Sequence, residues 1–203
     1  SLHDIRELLI NRGTLLILNK KILEKEKLNT KEKKIIVKHL VKAIIGYGDA
    51  LLYLHGKYHW SYKRKKELMW SLGPAYPAFA RMYHYAINFR FNPNYDRIIN
   101  SDLRMLQRFI VRNVEKVHIK FEKEISKKTS FSWEVYFNLI TNRPFYSKKK
   151  NVINLGKLIF HNIIQGKNFV CDDLPKNNQS FKCKLIGNKG VLMALFPFVL
   201  YDS

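Results

Sequence analysis

Acidic residues are scarce in this chain of 203 residues: 16 Asp and Glu stand against 37 Lys and Arg, a formal charge of +21. Such a surface excludes a basic partner and favours polyanions, whether nucleic acid, nucleotides or acidic membranes. Compositional bias toward lysine accounts for many of the bases but not for the shortage of acids. Cysteine is nearly absent. Cys171 and Cys183 have eleven residues between them and no Cys-x-x-Cys or histidine pairing nearby, which excludes a disulfide framework and speaks against zinc. Two ordinary thiols in a reducing cytosol are the expectation, and a cytoplasmic location with them. Long apolar runs are missing too. Val191 to Tyr201 is too short to span a bilayer and contains Pro197, so a soluble chain with neither signal peptide nor transmembrane segment is expected.

Most catalytic signatures are absent. There is no Gly-x-x-x-x-Gly-Lys-Ser/Thr loop, and Gly46-Tyr47-Gly48 lacks both a third glycine and a preceding strand. His55-x-x-x-His59 has the spacing of a zinc helix, but Gly56 interrupts it and no acid follows the first histidine. No Gly-x-Ser-x-Gly elbow and no Asp-x-Asp pair, as two-metal phosphoryl transfer uses, occur anywhere. A reaction is therefore not legible in the sequence, and no metal or cofactor is expected in this chain.

What is present reads as helix. Apolar residues make up 46% and aromatics 13%, enough for one core. Ile5, Leu8, Leu9, Leu15, Leu16, Ile22 and Leu23 recur at helical spacing, with Ser1 as N-cap. Thr30 is expected to cap a second helix whose stripe runs Ile36, Leu40, Ala43, Ile44, Tyr47, Leu51 and Leu54 and stops near Gly56. A third helix is expected from Trp60 or Ser61 to just before Gly73-Pro74, and a fourth from Pro74 or Pro77 to about Phe89. The longest, from about Tyr95 to Ile125, should be the central strut. Ser130 should cap a helix over Trp133 to Ile140. Val152 to Ile164 reads as helix, Phe181 to Ile186 as extended, and Gly190 to Leu200 as a last helix. The expectation is an all-α bundle of about six to eight helices in one domain, 1–203. Residues 1–140 would form its core, with the helices and loops of 141–203 packed on it.

Three constellations carry chemistry. Asp49 is the only charge between Ala43 and Leu54, where the helix is apolar or small on every side. An unpaired buried carboxylate is costly, so a base or a neighbouring helix must satisfy it, as a structural ion pair or as a ligand-facing anchor. Next, Tyr58-His59-Trp60-Ser61-Tyr62-Lys63-Arg64-Lys65-Lys66 mixes rings that stack on bases with cations that neutralise phosphates. The competing reading is a helix junction filled by Trp60 and Tyr62 beside a solvated basic run. Lastly, Tyr76 to Phe91 crowds rings onto one helix with Arg81 and His84, where His84 either faces a cleft or is a satisfied structural histidine. The candidate ligand-binding residues are Asp49, Tyr58, His59, Tyr62, Arg64 and Arg81.

Three segments resemble the helical C-terminal part of nucleotidyltransferase-fold proteins: Arg12 to Asn19, Lys42 through Gly48-Asp49 to Tyr62, and Leu192 to Pro197. In that superfamily a helical bundle follows the catalytic domain and closes over the acceptor substrate or mediates dimers. The resemblance implies a non-catalytic substrate-binding or dimerisation domain that binds a nucleotide or other phosphate-bearing ligand. It also implies a homodimer and an N-terminal nucleotidyltransferase domain as partners, with magnesium and nucleoside triphosphate belonging to that separate domain. The chain itself has no Gly-Ser dipeptide and no Asp-x-Asp. Arg112-Asn113-Val-Glu-Lys-Val-His118 resembles the Arg-x(4–6)-His motif of HEPN ribonucleases, which are related helical bundles, and implies an RNA-cleaving or RNA-binding alternative through Arg112 and His118. A protein-interaction domain docking on an acidic partner is the third expectation.

Overall fold

A computed structural model describes residues 2–128, 130–141, 193 and 195–201. Every regular element among them is helical, and the protein is an all-α bundle. The elements are α1 (Leu2–Leu23), α2 (Thr30–Leu54), α3 (Tyr62–Ser71), α4 (Pro77–Phe91), α5 (Asp96–Ile99), α6 (Leu103–Ser126) and α7 (Trp133–Thr141). Residues 195–201 are helical as well. Ser1, both cysteines, the helix expected over 152–164, the extended run at 181–186 and the start of the last helix at 190 lie outside the described residues. The chain divides into two compact units, Ser1–Ser130 with Val199–Ser203, and Phe131–Phe198. In the second, Tyr136 and Phe137 of α7 are buried among Phe131, Trp133, Met193, Leu195 and Phe198. No described helix is long and apolar enough to cross a membrane.

The first unit is built around α2, which packs against α1, α3, α4, α5 and α6. This corrects the placement of the central strut at 95–125. A helix apolar on all sides must be surrounded, and Ala43 to Gly48 and Ala50 to Leu52 of α2 are all buried. The 95–125 run, by contrast, is broken. Asp102 accepts from the backbone N–H groups of Arg104 (2.9 Å) and Met105 (3.0 Å) and starts α6 afresh after the short α5. Those bonds hold its carboxyl below the usual carboxylate range. Two caps also differ from expectation. Asn29, not Thr30, caps α2, because a glutamate stands three residues later: Asn29 Oδ1 accepts from the Glu32 N–H (2.9 Å) and Glu32 Oε2 from the Asn29 N–H (3.0 Å). At α7 the Ser132 hydroxyl oxygen accepts from the Val135 N–H (3.3 Å), so Ser132 caps in place of Ser130.

Helix α1 meets α2 and α6 with polar as well as apolar side chains. Asn19 Nδ2 donates to the Ile36 carbonyl and to Gln107 Oε1, both at 3.2 Å, and Gln107 Nε2 donates to the Leu16 carbonyl at 2.8 Å. Farther along, Arg6 grips Glu122 with two bonds, of 2.7 and 2.5 Å, in a pair almost wholly out of water. Next to it, His118 Nδ1 lies 3.0 Å from the Tyr201 hydroxyl, which lies 2.9 Å from the Tyr47 hydroxyl.

Burial, with the Arg6 charge second, pushes the His118 pKa down to about 3. The unfolded chain takes up this proton near pH 6.5, so between the two values it binds more protons than the folded chain. Stability must therefore fall as pH falls. Lowering pH from 7 to 5 is expected to remove about 2 kcal/mol through this residue. Urea melts at both pH values check this. His118→Gln should flatten the slope by that amount, while His39, also lowered by burial, still contributes in both proteins. Equal slopes would mean that His118 titrates normally in the fold.

Candidate anion-binding site on the α3–α4 hairpin

The site starts where α2 ends. Gly56 takes a positive φ of 65°, the left-handed conformation that glycine tolerates, and the Lys57 N–H turns back to the Leu52 carbonyl (2.8 Å). The chain leaves the helix there, so Tyr58 to Ser61 form a short link into α3 in which Tyr58 and Trp60 are exposed and His59 and Ser61 half-buried. Helix α4 then runs back along α3. Tyr62 meets Phe91 edge to face (5.6 Å), Lys66 donates to Asn88 Oδ1 (2.6 Å), and Trp70 tilts against His84 (5.4 Å).

Beneath this hairpin lies the partner that Asp49 requires. Lys65 shares a face of α3 with Met69 and Leu72 and is as buried as they are. Its ammonium donates to Asp49 Oδ2 at 2.8 Å, with side-chain exposures of 4% and 13% for the pair. Tyr83 of α4 donates its hydroxyl to Asp49 Oδ1 at 2.7 Å. The rings of Tyr58 and Tyr62 lie 4.5 and 4.9 Å from the same ammonium. A desolvated cation is stabilised by carboxylate and ring faces together. Burial and the Asp49 charge drive the Tyr83 phenol far above its ordinary pKa, so it stays a donor. Glycine makes this approach possible: a Cβ on Gly48 would collide with the edge of the Tyr83 ring, and one on Gly46 would collide with the Arg12 stem.

Above the ion pair, an open groove of about 800 Å³ runs between the start of α3 and the end of α4, lined by Trp60, Tyr62, Lys63, Lys66, Asn88 and Phe91 among others. Trp60 is 82% exposed and Phe91 68% exposed. His59 stacks on the back of Trp60 (5.4 Å, 27° between planes), and its Nδ1 accepts from the Ser61 N–H at 3.0 Å. Arg90 lies over Tyr62 (4.8 Å). Aromatic faces and two ammonium groups thus share one concave surface.

The expected site residues divide accordingly. Tyr62 lines the groove, and His59 supports Trp60 behind it. Asp49 and Tyr58 lie below or beside Lys65 and serve the ion pair. Arg64 is turned to solvent and paired with Glu67 (2.7 Å), whose carboxyl it holds below the usual range. Arg81 is exposed on α4 away from the groove lining. Arg112 and His118 are not brought together: Arg112 is on the exposed side of α6, while His118 is fully buried against Tyr201. Sequence reasoning missed Tyr83 as Asp49's donor and Lys65 as its base. A lysine at the i, i+4, i+7 positions of an apolar stripe, ahead of Met69 and Leu72, was the available signal. Among the described residues, no group of three or more His, Cys, Asp or Glu is placed to hold a metal.

Comparison with family models, with curated proteins and with solved structures finds no match for this chain.

Proposed function

We propose that this chain is a non-catalytic helical substrate-binding module that holds a nucleotide through the α3–α4 groove. One observation carries the reading: highly exposed rings of Trp60 and Phe91 share a groove with Lys63 and Lys66. An exposed indole presents a flat face on which a base of matching size can stack. The two ammonium groups take the phosphate, and the surplus of 37 basic over 16 acidic residues attracts it. The buried Asp49–Lys65 pair fixes α3 on α2 and so holds the groove's wall in place. The all-α bundle also agrees with the resemblance to helical C-terminal domains of nucleotidyltransferase-fold proteins, in which case a separate catalytic domain supplies magnesium and nucleoside triphosphate chemistry.

Calorimetric titration with adenosine monophosphate at 50 and 500 mM salt tests this reading. Lysine–phosphate contacts predict clearly weaker affinity at the higher salt, because salt screens the attraction between the ammonium groups and the phosphate. Trp60→Ala should weaken binding at least about fivefold, the lower end of what one base–aromatic stack contributes. An unchanged affinity in Trp60→Ala would place any nucleotide elsewhere, and no binding at either salt removes the proposal.

A further inference from the structure

The groove is not the end of the exposed seam between α3 and α4. From Lys66 the surface continues through a chain of contacts: Lys66 Nζ to Asn88 Oδ1 (2.6 Å), Asn88 Nδ2 to His84 Nδ1 (3.3 Å), and His84 against Trp70 (5.4 Å, 44° between planes). Trp70 is 48% exposed. The seam therefore has a tryptophan–histidine pair at each end, His59–Trp60 and Trp70–His84, with Lys63 and Lys66 between them.

We infer that this seam takes a short stretch of single-stranded nucleic acid rather than a lone nucleotide, with one base on Trp60, another on Trp70 and the intervening phosphates on Lys63 and Lys66. The inference rests on the nucleotide reading of the groove and names its polymer. The spacing fits. From Tyr62, the first residue of α3, to Trp70 the helix axis runs about 12 Å, comparable to roughly three to four nucleotides stacked at about 3.4 Å each, and Trp60 precedes that stretch by two residues. A mononucleotide can occupy one tryptophan only. Platforms before the start and near the end of α3 call for a longer ligand, and a strand reaches both.

The chemistry of the second platform suits a base. Asn88 accepts from Lys66 through Oδ1, so its Nδ2 is the group facing His84, and it donates to a deprotonated Nδ1. His84 is thereby held as the neutral imidazole, an effect that desolvation and the Lys66 charge reinforce. The His84 ring packs tilted against Trp70 and braces it, while His59 stacks on Trp60. Duplex bases are already stacked on one another and offer no free face to such platforms.

A length series on the full chain tests this: adenosine monophosphate, then adenylate oligomers of two, four and eight nucleotides in ribose and deoxyribose form, read by calorimetry or by anisotropy of a labelled octamer under competition. Affinity per molecule should rise at least tenfold from the monophosphate to the tetramer in one series or both. Trp70→Ala should cancel most of that gain while leaving monophosphate affinity unchanged, which also reports that the variant folds. Trp70→Phe should keep most of the gain. Monophosphate binding as tight as the tetramer's, a gain untouched by Trp70→Ala, or a duplex competing as well as the single strand would each overturn the inference while the nucleotide reading stands. Failure of monophosphate and oligomers alike would remove both.

Discussion

Asp49→Ala is expected to cost about 3–5 kcal/mol of folding stability, the usual consequence of removing one member of a buried ion pair. The loss is large because of what remains. Lys65 would lose its carboxylate at a position where only 4% of its side chain meets solvent, and the Tyr83 hydroxyl would lose its acceptor. The ring faces of Tyr58 and Tyr62 offset only part of that charge, since an exposed cation–π contact contributes roughly 0.5–1 kcal/mol and a desolvated one about 2. At about 2–4 °C per kcal/mol for a chain of this size, the melting temperature should fall by about 10 °C. Asp49→Leu combined with Lys65→Met removes both charges and should recover most of the loss, as replacing a whole buried pair by apolar residues often does. Thermal melts of the single and double variants read this out. A cost below about 1 kcal/mol for Asp49→Ala, within the range of exposed pairs, would show that water reaches Lys65.

Glu122→Ala should be comparably damaging, for a related reason at a different place. Arg6 and Glu122 are 116 residues apart in sequence, joined by two bonds in a pair with side-chain exposures of 5% and 2%. Removing the carboxylate takes two bonds away from a buried guanidinium, which cannot shed its charge. About 3–5 kcal/mol is again the expected loss. A double-mutant cycle with Arg6→Met and Glu122→Met measures the coupling, which should reach at least about 1 kcal/mol for a bidentate buried pair. The two lesions separate in function. Glu122→Ala leaves the α3–α4 hairpin intact and should keep nucleotide affinity at temperatures where the protein is folded. Asp49→Ala loosens α3 and should lose it.

Much of the fold was legible because helical periodicity is a local signal. The stripes of α1, α2 and α6 were readable, and so was the need for Asp49 to be paired. What escaped was decided by tertiary contact. Arg6, Asn19, Gln107, His118 and Glu122 are buried polar residues; on a single helix each reads as a solvent-facing residue, and only packing against other elements gives it partners. The break before α6 turned on one aspartate that satisfies two N–H groups. Lys65 looked like one more cation in a basic run because it stands between Arg64 and Lys66, yet its ammonium meets Asp49 across the interface with α2. Arg64 drew attention by its chemistry, while Phe91 and Trp70 became relevant only when the hairpin set α3 against α4.

The central claim is that the seam between α3 and α4 is where a base and its phosphates bind. Photo-crosslinking of a tetranucleotide carrying 4-thiouridine, with the adducts mapped by mass spectrometry, tests it most directly. The account predicts adducts on Trp60, Phe91 or Trp70, suppressed by high salt and by excess unlabelled tetramer. Adducts confined to the lysines of α1 and α2 or to the Arg112 side of α6, or no saturable adduct at all, would contradict it.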